Sequence, residues 1–390
     1  MIKFTKQYLE NIFFILFTFF LSPFFYLLIF IRKCKKGKIK KPLKILVIQT
    51  AKIGDVVCST PVFREIKKYY PKSFLSVLII PLTKGILVNN PYIDEIILFD
   101  KKKYSKISEI SKFIKGIKKR KFNWSFSLTP GILNSSISFW AGIPNRVITT
   151  SKYSTQGAKL ISIFNNYHLE YKRHTLALRH YLNLLKFINI NQVSEKKEIF
   201  VGSSEENKAI QFFKKNNLKQ GDFLVGISVT AGKEFKEWAP NKFSQLADRI
   251  IDELKARVIF TGSERDKITI KKVQFLMKNK SLRVTKFKLI ELISLLKRMS
   301  LFIGVDTGPL YIANALEVPV IDIAGPCSMK SQCPIGKKII IVKKEINCYP
   351  CSFVSSAPNY CKEGHMRCIK GISVNDVYIA VKKILYDFKI

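Results

Sequence analysis

From Leu43 onward, short β-branched apolar runs alternate with amphipathic stretches, and the whole alternation occurs twice along the chain. That pattern specifies strands buried on both faces and joined by helices, a doubly wound α/β layer. In the first pass KILVIQ (44–49), FLSVLII (74–80), EIILF (95–99) and WSFSL (124–128) read as strands. Between them 56–70, 104–119 and 131–141 read as helices, the second with a Lys-rich outer face, while 150–200 is polar with helical character over 172–188. The pattern restarts at DFLVGISV (222–229), after a helical stretch at 204–217. Helix 240–254, strand RVIFT (257–261), helices 264–278 and 288–298, strand LFIGV (301–305), helix 309–316 and strand PVIDI (319–323) follow, and 374–388 is the last helix. A length of 390 residues accommodates two domains. The reading is therefore two Rossmann-like doubly wound α/β domains facing a central cleft, where the carboxyl ends of both sheets can meet one ligand.

The charge balance sets the partners. Lys plus Arg total 67 against 28 Asp plus Glu, a net charge of +39, so any partner surface is anionic: phosphate, nucleic acid or lipid headgroup. With 47% hydrophobic and 24% charged residues, a disordered or collagen-like chain is excluded. Residues 12–31, IFFILFTFFLSPFFYLLIFI, carry no charge over about the length that crosses a hydrocarbon core as helix. RKCKKGKIKK follows, and seven of the nine basic residues in 1–42 lie after the apolar run, which predicts a body facing the cytoplasm from the inner membrane. No small-x-small site follows, against a cleaved signal peptide. Ser22-Pro23 leaves a kinked span and a shallow hairpin both open. The expected division is a membrane segment and basic linker (1–42), a first Rossmann-like domain (43–200), a second Rossmann-like domain (201–372) and a C-terminal helix (373–390).

Four turns carry chemistry. In QTAKIGDVVCSTP (49–61), Gly54 permits a tight turn and Asp55 opens a helix at a strand's carboxyl end, either as a cap or as a carboxylate facing a ligand. In VDTGPLYIANALEVPV (305–320), Pro309 suits the first helical turn and Thr307 or Gly308 the cap, so free N–H groups and the helix dipole form an anion site beside Asp306. GVDTG lacks the P-loop lysine, which disfavours a Walker-type triphosphatase. In TAGKEFKEWAP (230–240), Lys233 and Lys236 are placed to neutralise a leaving diphosphate. In TGSERD (261–266), Glu264 at a strand tip can accept from a ribose hydroxyl.

ILVIQTAKIGDVVCSTPVFREIKKYYP, NPYIDEIILFD, the K-x-W-x-P turn at Lys236, TGSERD and DTGPLYIANALEVPV, in this order, resemble the bacterial lipopolysaccharide heptosyltransferases, glycosyltransferase family nine. The resemblance covers nearly everything from 43 to 388. It implies a two-domain glycosyltransferase-B fold and inverting transfer of a heptose or related sugar from a nucleotide-diphosphate sugar, typically ADP-heptose, to an anionic lipid-linked lipopolysaccharide core acceptor. By the same resemblance Asp55 is the catalytic base, Lys236 the donor-phosphate lysine, Glu264 the nucleotide contact, and Asp306, Thr307 and Gly308 the donor-binding triplet. No cofactor is required for catalysis, and the chain contains no Asp-x-Asp pair. Lys52, Arg64 and Arg146 are acceptor candidates.

Two departures from the family pattern concern the donor. Tyr311 stands where the family most often has His, and Cys327 where it has Thr, which puts the sugar and nucleotide preference in doubt. Cys348, Cys351, Cys361 and Cys368 give C-x2-C-x9-C-x6-C, a candidate structural metal site or a set of unliganded thiols. His168, His174 and His180, in the polar middle, read as surface residues. The rival readings are transfer of another sugar to another surface glycan and a non-catalytic, membrane-attached anion-binding protein. A specific nucleic-acid partner is not expected, because no stretch interleaves aromatics with basic residues.

Overall fold

The computed structural model describes residues 43–104, 106–153, 156–162, 164–354 and 356–389, with positions 20, 23, 24, 27 and 30 of the N-terminal segment. The expected spanning segment 12–31 thus lies mostly outside the described residues. Its described members Phe20, Phe24, Leu27 and Phe30 are helical and exposed. Among the described residues no helix is long and apolar enough to cross a membrane.

The chain divides into two compact units. The first holds the described residues up to Ala51 with Ser59–Lys84 and Pro91–Glu195; the second holds Lys52–Cys58, Gly85–Asn90 and Lys196–Ile390. In the first unit β1 (Lys44–Gln49), β2 (Phe74–Ile79), β3 (Glu95–Leu98), β4 (Trp124–Ser127), β5 (Asn145–Thr150) and β6 (Tyr167–Glu170) form one sheet in the order β3-β2-β1-β4-β5-β6. All its pairings are parallel. Helices α1 (Ile53–Tyr69), α2 (Ile107–Lys119), α3 (Ile132–Trp140) and α4 (Ala177–Asn183) make the crossovers and cover the sheet. The β1 side chains from Ile45 to Ile48 are fully buried, as expected of a strand covered on both faces. Leu46, Ile48, Leu78, Ile97 and Phe99 join Ile117 of α2 and Ile137 of α3 in one core.

The second unit repeats the plan. Strands β7 (Leu224–Ser228), β8 (Arg257–Thr261), β9 (Leu282–Val284), β10 (Leu301–Val305), β11 (Val320–Ala324) and β12 (Ile339–Lys343) run parallel in the order β12-β11-β10-β7-β8-β9. The helices are α5 (Ser203–Lys215), α6 (Pro240–Leu254), α7 (Lys267–Phe275), α8 (Leu289–Leu296), α9 (Gly308–Ala315) and α10 (Val374–Phe388). Chain order reverses between β7 and β10, and ligands of open α/β sheets bind at such a switch point beyond the carboxyl ends of the strands. Loops 230–240 and 306–308 leave from these two tips.

The polar middle corrects one expectation. It supplies β5 and β6, and His180 of α4 is buried at 3% exposure, with Nε2 3.0 Å from Thr149 Oγ1. Burial, helped by Lys186, pushes its pKa down to about 4. His168 and His174 are exposed, as read from the sequence.

Candidate functional site

The site is built around Asp306, the first residue after β10. Its carboxylate is almost sealed, with the side chain 3% exposed, and donors converge on it. Lys236 Nζ lies 3.2 Å from Oδ2, Gln332 Nε2 donates to Oδ2 at 2.7 Å, and the Tyr311 hydroxyl donates to Oδ1 at 2.9 Å. The Cys327 thiol is buried close enough to Asp306 and Lys236 for their charges to act on it. Burial opposes the charge on Lys236, but Asp306 and Cys327 more than offset it and hold its pKa above the ordinary lysine range. The Cys327 thiol is pushed well up, by burial first and then by Asp306.

The local sequence explains how Lys236 reaches this point. Trp238 is buried at 1% exposure, donates from Nε1 to the Ile372 carbonyl at 3.0 Å and meets Phe243 edge-on at 4.9 Å. Pro240 begins α6, where its missing N–H has no cost. Glu237 Oε1 accepts from the Ala231 N–H at 2.9 Å and closes the loop on itself. The tryptophan and proline of the K-x-W-x-P turn are therefore anchors, and the lysine is what they aim. Lys233 points elsewhere, donating to the Ala357 carbonyl at 2.8 Å and to that of Pro358.

Beside the carboxylate, α9 begins at Gly308 with Thr307 as its N-cap. The Thr307 side chain makes no capping bond, and its buried Oγ1 has no hydrogen-bond partner among the described residues. Pro309 has no N–H and the Leu310 N–H is taken up by the Thr307 carbonyl at 3.2 Å, so the uncapped turn presents the Gly308 N–H and the positive end of the helix dipole, an anion-binding arrangement. Gly308 is required by packing: a Cβ there would lie 2.6 Å from Ile53 Cγ2. The start of α1 is thus laid against the start of α9 within the second unit. Gly54 packs on the Tyr311 ring, where an added Cβ would be 3.4 Å from Cδ2. Asp55, next in sequence, occupies the first turn of α1 and is half-buried. Lys52 is exposed, with Nζ 3.4 Å from where a Cβ on Gly232 would sit, and its charge and that of Lys236 depress Lys233 after burial has done so. Lys52 and Lys236 are thus near enough to Lys233 to act on its charge, while Lys236 alone reaches Asp306 beside the start of α9.

Other expected residues fall differently. Glu264 stands at the tip of β8 with its side chain 53% exposed, accepts from Thr285 Oγ1 at 2.9 Å and lies 3.6 Å from Lys267. Its bonds do not tie it to the Asp306 group. Arg146 is corrected to a core residue: it is fully buried, Nε donates to the Phe164 carbonyl at 2.8 Å, NH1 donates to the Ile143 carbonyl, and the guanidinium faces the Phe139 ring. It holds strand and loop together and presents nothing to an acceptor. Arg64 is likewise committed, to Glu65 at 3.0 Å and the Ser194 carbonyl at 2.9 Å. The structural metal finds no support. Cys348, Cys351, Cys361 and Cys368 are free thiols, and among the described residues no three Cys, His, Asp or Glu side chains are disposed to hold a metal ion. The Cys368 thiol is pushed up to about 11, by burial and then by its three cysteine neighbours.

Three residues near the site were not anticipated. Gln332 bonds Asp306 from an irregular loop, where no periodicity marks it. Asp322 of β11 is fully buried, and neither carboxylate oxygen has a hydrogen-bond partner among the described residues. Burial and the charge of Asp306 push its pKa well up, against Lys236. A lone acid in the apolar run PVIDIA was the visible signal. Lys197, 5% exposed, donates to Asn314 Oδ1 and lies 5.8 Å from the Tyr311 ring centroid, so this ring is packed by Gly54 and faced by a cation.

Two parallel doubly wound units, the second carrying a buried lysine–aspartate pair beside an uncapped helix start, define an α/β enzyme of the glycosyltransferase-B-like class. The sequence profile of glycosyltransferase family 9 (heptosyltransferase) matches residues 110–360, and the chain belongs to that family. It is a glycosyltransferase. A lipopolysaccharide heptosyltransferase 1 of Campylobacter coli is 26% identical over 299 residues, which are 73% of this chain and 84% of that protein. Among solved structures, a family 9 glycosyl transferase of Veillonella parvula is 23% identical with a TM-score of 0.79, covering 90% of this chain and 100% of that one. The E. coli ADP-heptose lipopolysaccharide heptosyltransferase II is 17% identical with a TM-score of 0.72, covering 89% and 100%.

Proposed function

We propose that this protein transfers a heptose, with inversion, from ADP-heptose to an anionic lipid-linked lipopolysaccharide core acceptor at the cytoplasmic face of the inner membrane. The observation that carries the reading is the placement of Lys236 against Asp306 beside the uncapped start of α9. A diphosphate laid there meets an ammonium, the Gly308 N–H and a helix dipole together. Family membership and the names of the relatives support the sugar and the acceptor.

In the proposed reaction Asp55 takes the proton of the acceptor hydroxyl as its oxygen bonds the anomeric carbon, an effect on the order of 10² to 10⁴ in rate. The electron pair of the breaking carbon–oxygen bond leaves with the diphosphate. Lys236 and the α9 N-terminus, with Thr307 and Gly308, stabilise that charge, and Lys52 adds to the field. Glu264 contacts the nucleoside, Asp306 holds Lys236 in place, and Tyr311 sets the position of Asp306. The first unit is the acceptor-side domain.

The test is a stabilisation panel on the full chain with ADP, UDP, GDP and CDP, followed by turnover of ADP-heptose. A nucleotide at about a hundred times its dissociation constant stabilises by roughly 2.7 kcal/mol. Selective response to ADP, together with loss of turnover in Asp55→Ala at nucleotide affinity within a few-fold of the parent, is the expected result. Unchanged turnover in Asp55→Ala removes the base, and silence with all four nucleotides removes the donor site. A second reading, a different nucleotide sugar and surface glycan, is favoured by one observation: the Tyr311 hydroxyl donates to Asp306 and the Cys327 thiol is buried beside it, so the donor pocket departs from the family pattern where it matters. Selectivity for another nucleotide would establish it.

A further inference from the structure

Residues 101–121, KKKYSKISEISKFIKGIKKRK, contain nine lysines and Arg120 against the single acid Glu109, a net charge of +9. This short stretch carries nearly a quarter of the chain's net charge of +39. In the first unit it forms the loop after β3 and then α2. All nine lysines, from Lys101 to Lys121, are exposed, and among the described residues none of them pairs with a carboxylate. Arg120 is the exception, committed to Glu95 at 2.6 Å. The reason is the amphipathic period of α2. Phe113, Ile114 and Ile117 face the core, which turns Ser108, Lys112, Lys115 and Lys119 outward at helical spacing.

The stretch also has an apolar component. Ile107, at the start of α2, is 58% exposed. Between β3, which is the edge strand of its sheet, and α2 runs a groove of about 570 Å³, lined by Ile96, Leu98, Tyr104 and Phe113 with Lys103 and Lys112 on its walls. The aromatic rings are not available for stacking on a base: Tyr104 and Phe113 are 4.8 Å apart and packed on Phe99 at 5.3 and 5.2 Å. Single-stranded nucleic acid is bound by exposed aromatic platforms along a basic groove, and here the exposed apolar group is aliphatic. Dense unpaired lysines around aliphatic surface are complementary to an anionic lipid bilayer, with phosphate headgroups on the ammonium groups and acyl chain edges against Ile107 and the groove.

We propose that the loop 101–106 and the outer face of α2 form a docking surface for an anionic phospholipid bilayer, separate from the N-terminal segment. It rests on the proposed function only in taking the bilayer to be the one that bears the acceptor. The surface would hold the acceptor-side unit against the membrane through the body of the enzyme itself.

The experiment uses the full chain and vesicles of phosphatidylcholine with or without phosphatidylglycerol. The variant Lys112→Gln/Lys115→Gln/Lys118→Gln/Lys119→Gln removes four exposed charges and leaves the buried side of α2 intact. A charge-matched control, Lys271→Gln/Lys272→Gln/Lys382→Gln/Lys383→Gln, removes four exposed lysines from α7 and α10. Expected is a loss on the order of a hundredfold or more in partitioning to anionic vesicles for the α2 variant, with binding to neutral vesicles unchanged and the control within a few-fold of the parent. Equal losses in the two variants would show that net charge alone acts, and would overturn the surface, as would full retention by the α2 variant. Loss of affinity for a DNA oligonucleotide without loss on vesicles would overturn it in favour of nucleic acid. Nucleotide stabilisation is read on the same samples. If the parent chain itself fails to bind anionic vesicles while its nucleotide stabilisation persists, the docking surface falls and the donor site stands; vesicle binding by a parent chain that no nucleotide stabilises separates them the other way.

Discussion

Replacing Lys236 by Met tests whether the Lys236–Asp306 pair organises the site or merely decorates it. The substitution keeps the length of the side chain and removes its charge. The Asp306 side chain is 3% exposed and that of Lys236 14%, so both charges are largely withdrawn from water. Deleting one partner of a buried pair costs roughly 3–5 kcal/mol because the other is left uncompensated. Tyr311 and Gln332 still donate to the orphaned carboxylate, which places the expected cost near the lower end, about 3 kcal/mol. For a unit of this size that is a fall of about 6–12 °C in the midpoint of its transition. The assay is calorimetry on Lys236→Met, Asp306→Asn and the double variant, read as a double-mutant cycle. A coupling of at least about 1 kcal/mol is expected, with the double variant more stable than the two single losses would sum to. A Lys236→Met chain within about 0.5 kcal/mol of the parent would refute the reasoning, since it would mean that Asp306 needs no cation to remain buried. Nucleotide affinity should fall in Lys236→Met whatever the stability result, because the diphosphate also loses its ammonium.

Gly308→Ala forces a Cβ to within 2.6 Å of Ile53 Cγ2 and 2.7 Å of its Cβ, and the overpacking is expected to cost about 1–3 kcal/mol and to weaken nucleotide binding; Ile53→Gly in the same chain, which removes both atoms, should restore nucleotide binding, and no rescue would contradict the contact. Asp322 has its pKa raised in the folded state, so its favourable contribution is complete below the unfolded carboxyl range and is lost as pH rises through its folded pKa. Asp322→Asn should therefore gain stability relative to the parent as pH is raised from about 4 toward neutrality, and parallel denaturation profiles would exclude the buried acid. His180 titrates in the opposite sense, its folded pKa of about 4 lying below the ordinary value of 6.5: stability is present above 6.5 and lost as pH falls to about 4. His180→Gln should flatten the parent's acid decline by about 3 kcal/mol, measured as urea midpoints across that window.

Strand β1 and helix α10 were legible to the residue. β1 was read as 44–49 and α10 as 374–388, because continuous apolar runs and a Ser373 cap with Asp376 leave little choice. The missed strands are interior β5 (NRVITT), whose polar residues hide its burial, and three edge strands. β6 alternates half-buried and exposed residues, β9 has three residues and β12 is mostly half-exposed, so neither pattern nor length distinguished them from loop. The helix read as 264–278 is a 3-10 turn, Glu264–Asp266, followed by α7, the turn being pinned by Ser263 and Asp266. In the site, Asp306 and Lys236 were visible because each follows a buried strand at a turn with its own signature. Arg146 misled for a physical reason: a basic residue in a strand looks like a ligand contact, yet carbonyls of Ile143 and Phe164 can satisfy a guanidinium in the core. Charge alone does not reveal which case holds, since the partners are backbone atoms that any sequence supplies.

The crowding on Asp306 gives the departures from the family pattern a shared meaning. A carboxylate offers about four acceptor positions, and Lys236, Gln332 and Tyr311 occupy three of them, with the buried Cys327 thiol beside the group. Tyr311 and Cys327, the two unusual residues of the donor loops, are thus both placed at the group that steers the lysine, rather than lying at unrelated points of the pocket. Of the three donors, the one with an alternative partner is Lys236, which a diphosphate attracts. In the proposed reaction the phosphate takes the cation as the sugar or ribose takes its place, so donor binding releases Lys236 from Asp306. Asp322 fits the same account: pushed toward its neutral form, it spares the carboxylate a second negative neighbour while that exchange takes place. On that proposal, donor preference in this protein is tied to a hydrogen-bond balance around one carboxylate, set by residues that need not touch the sugar.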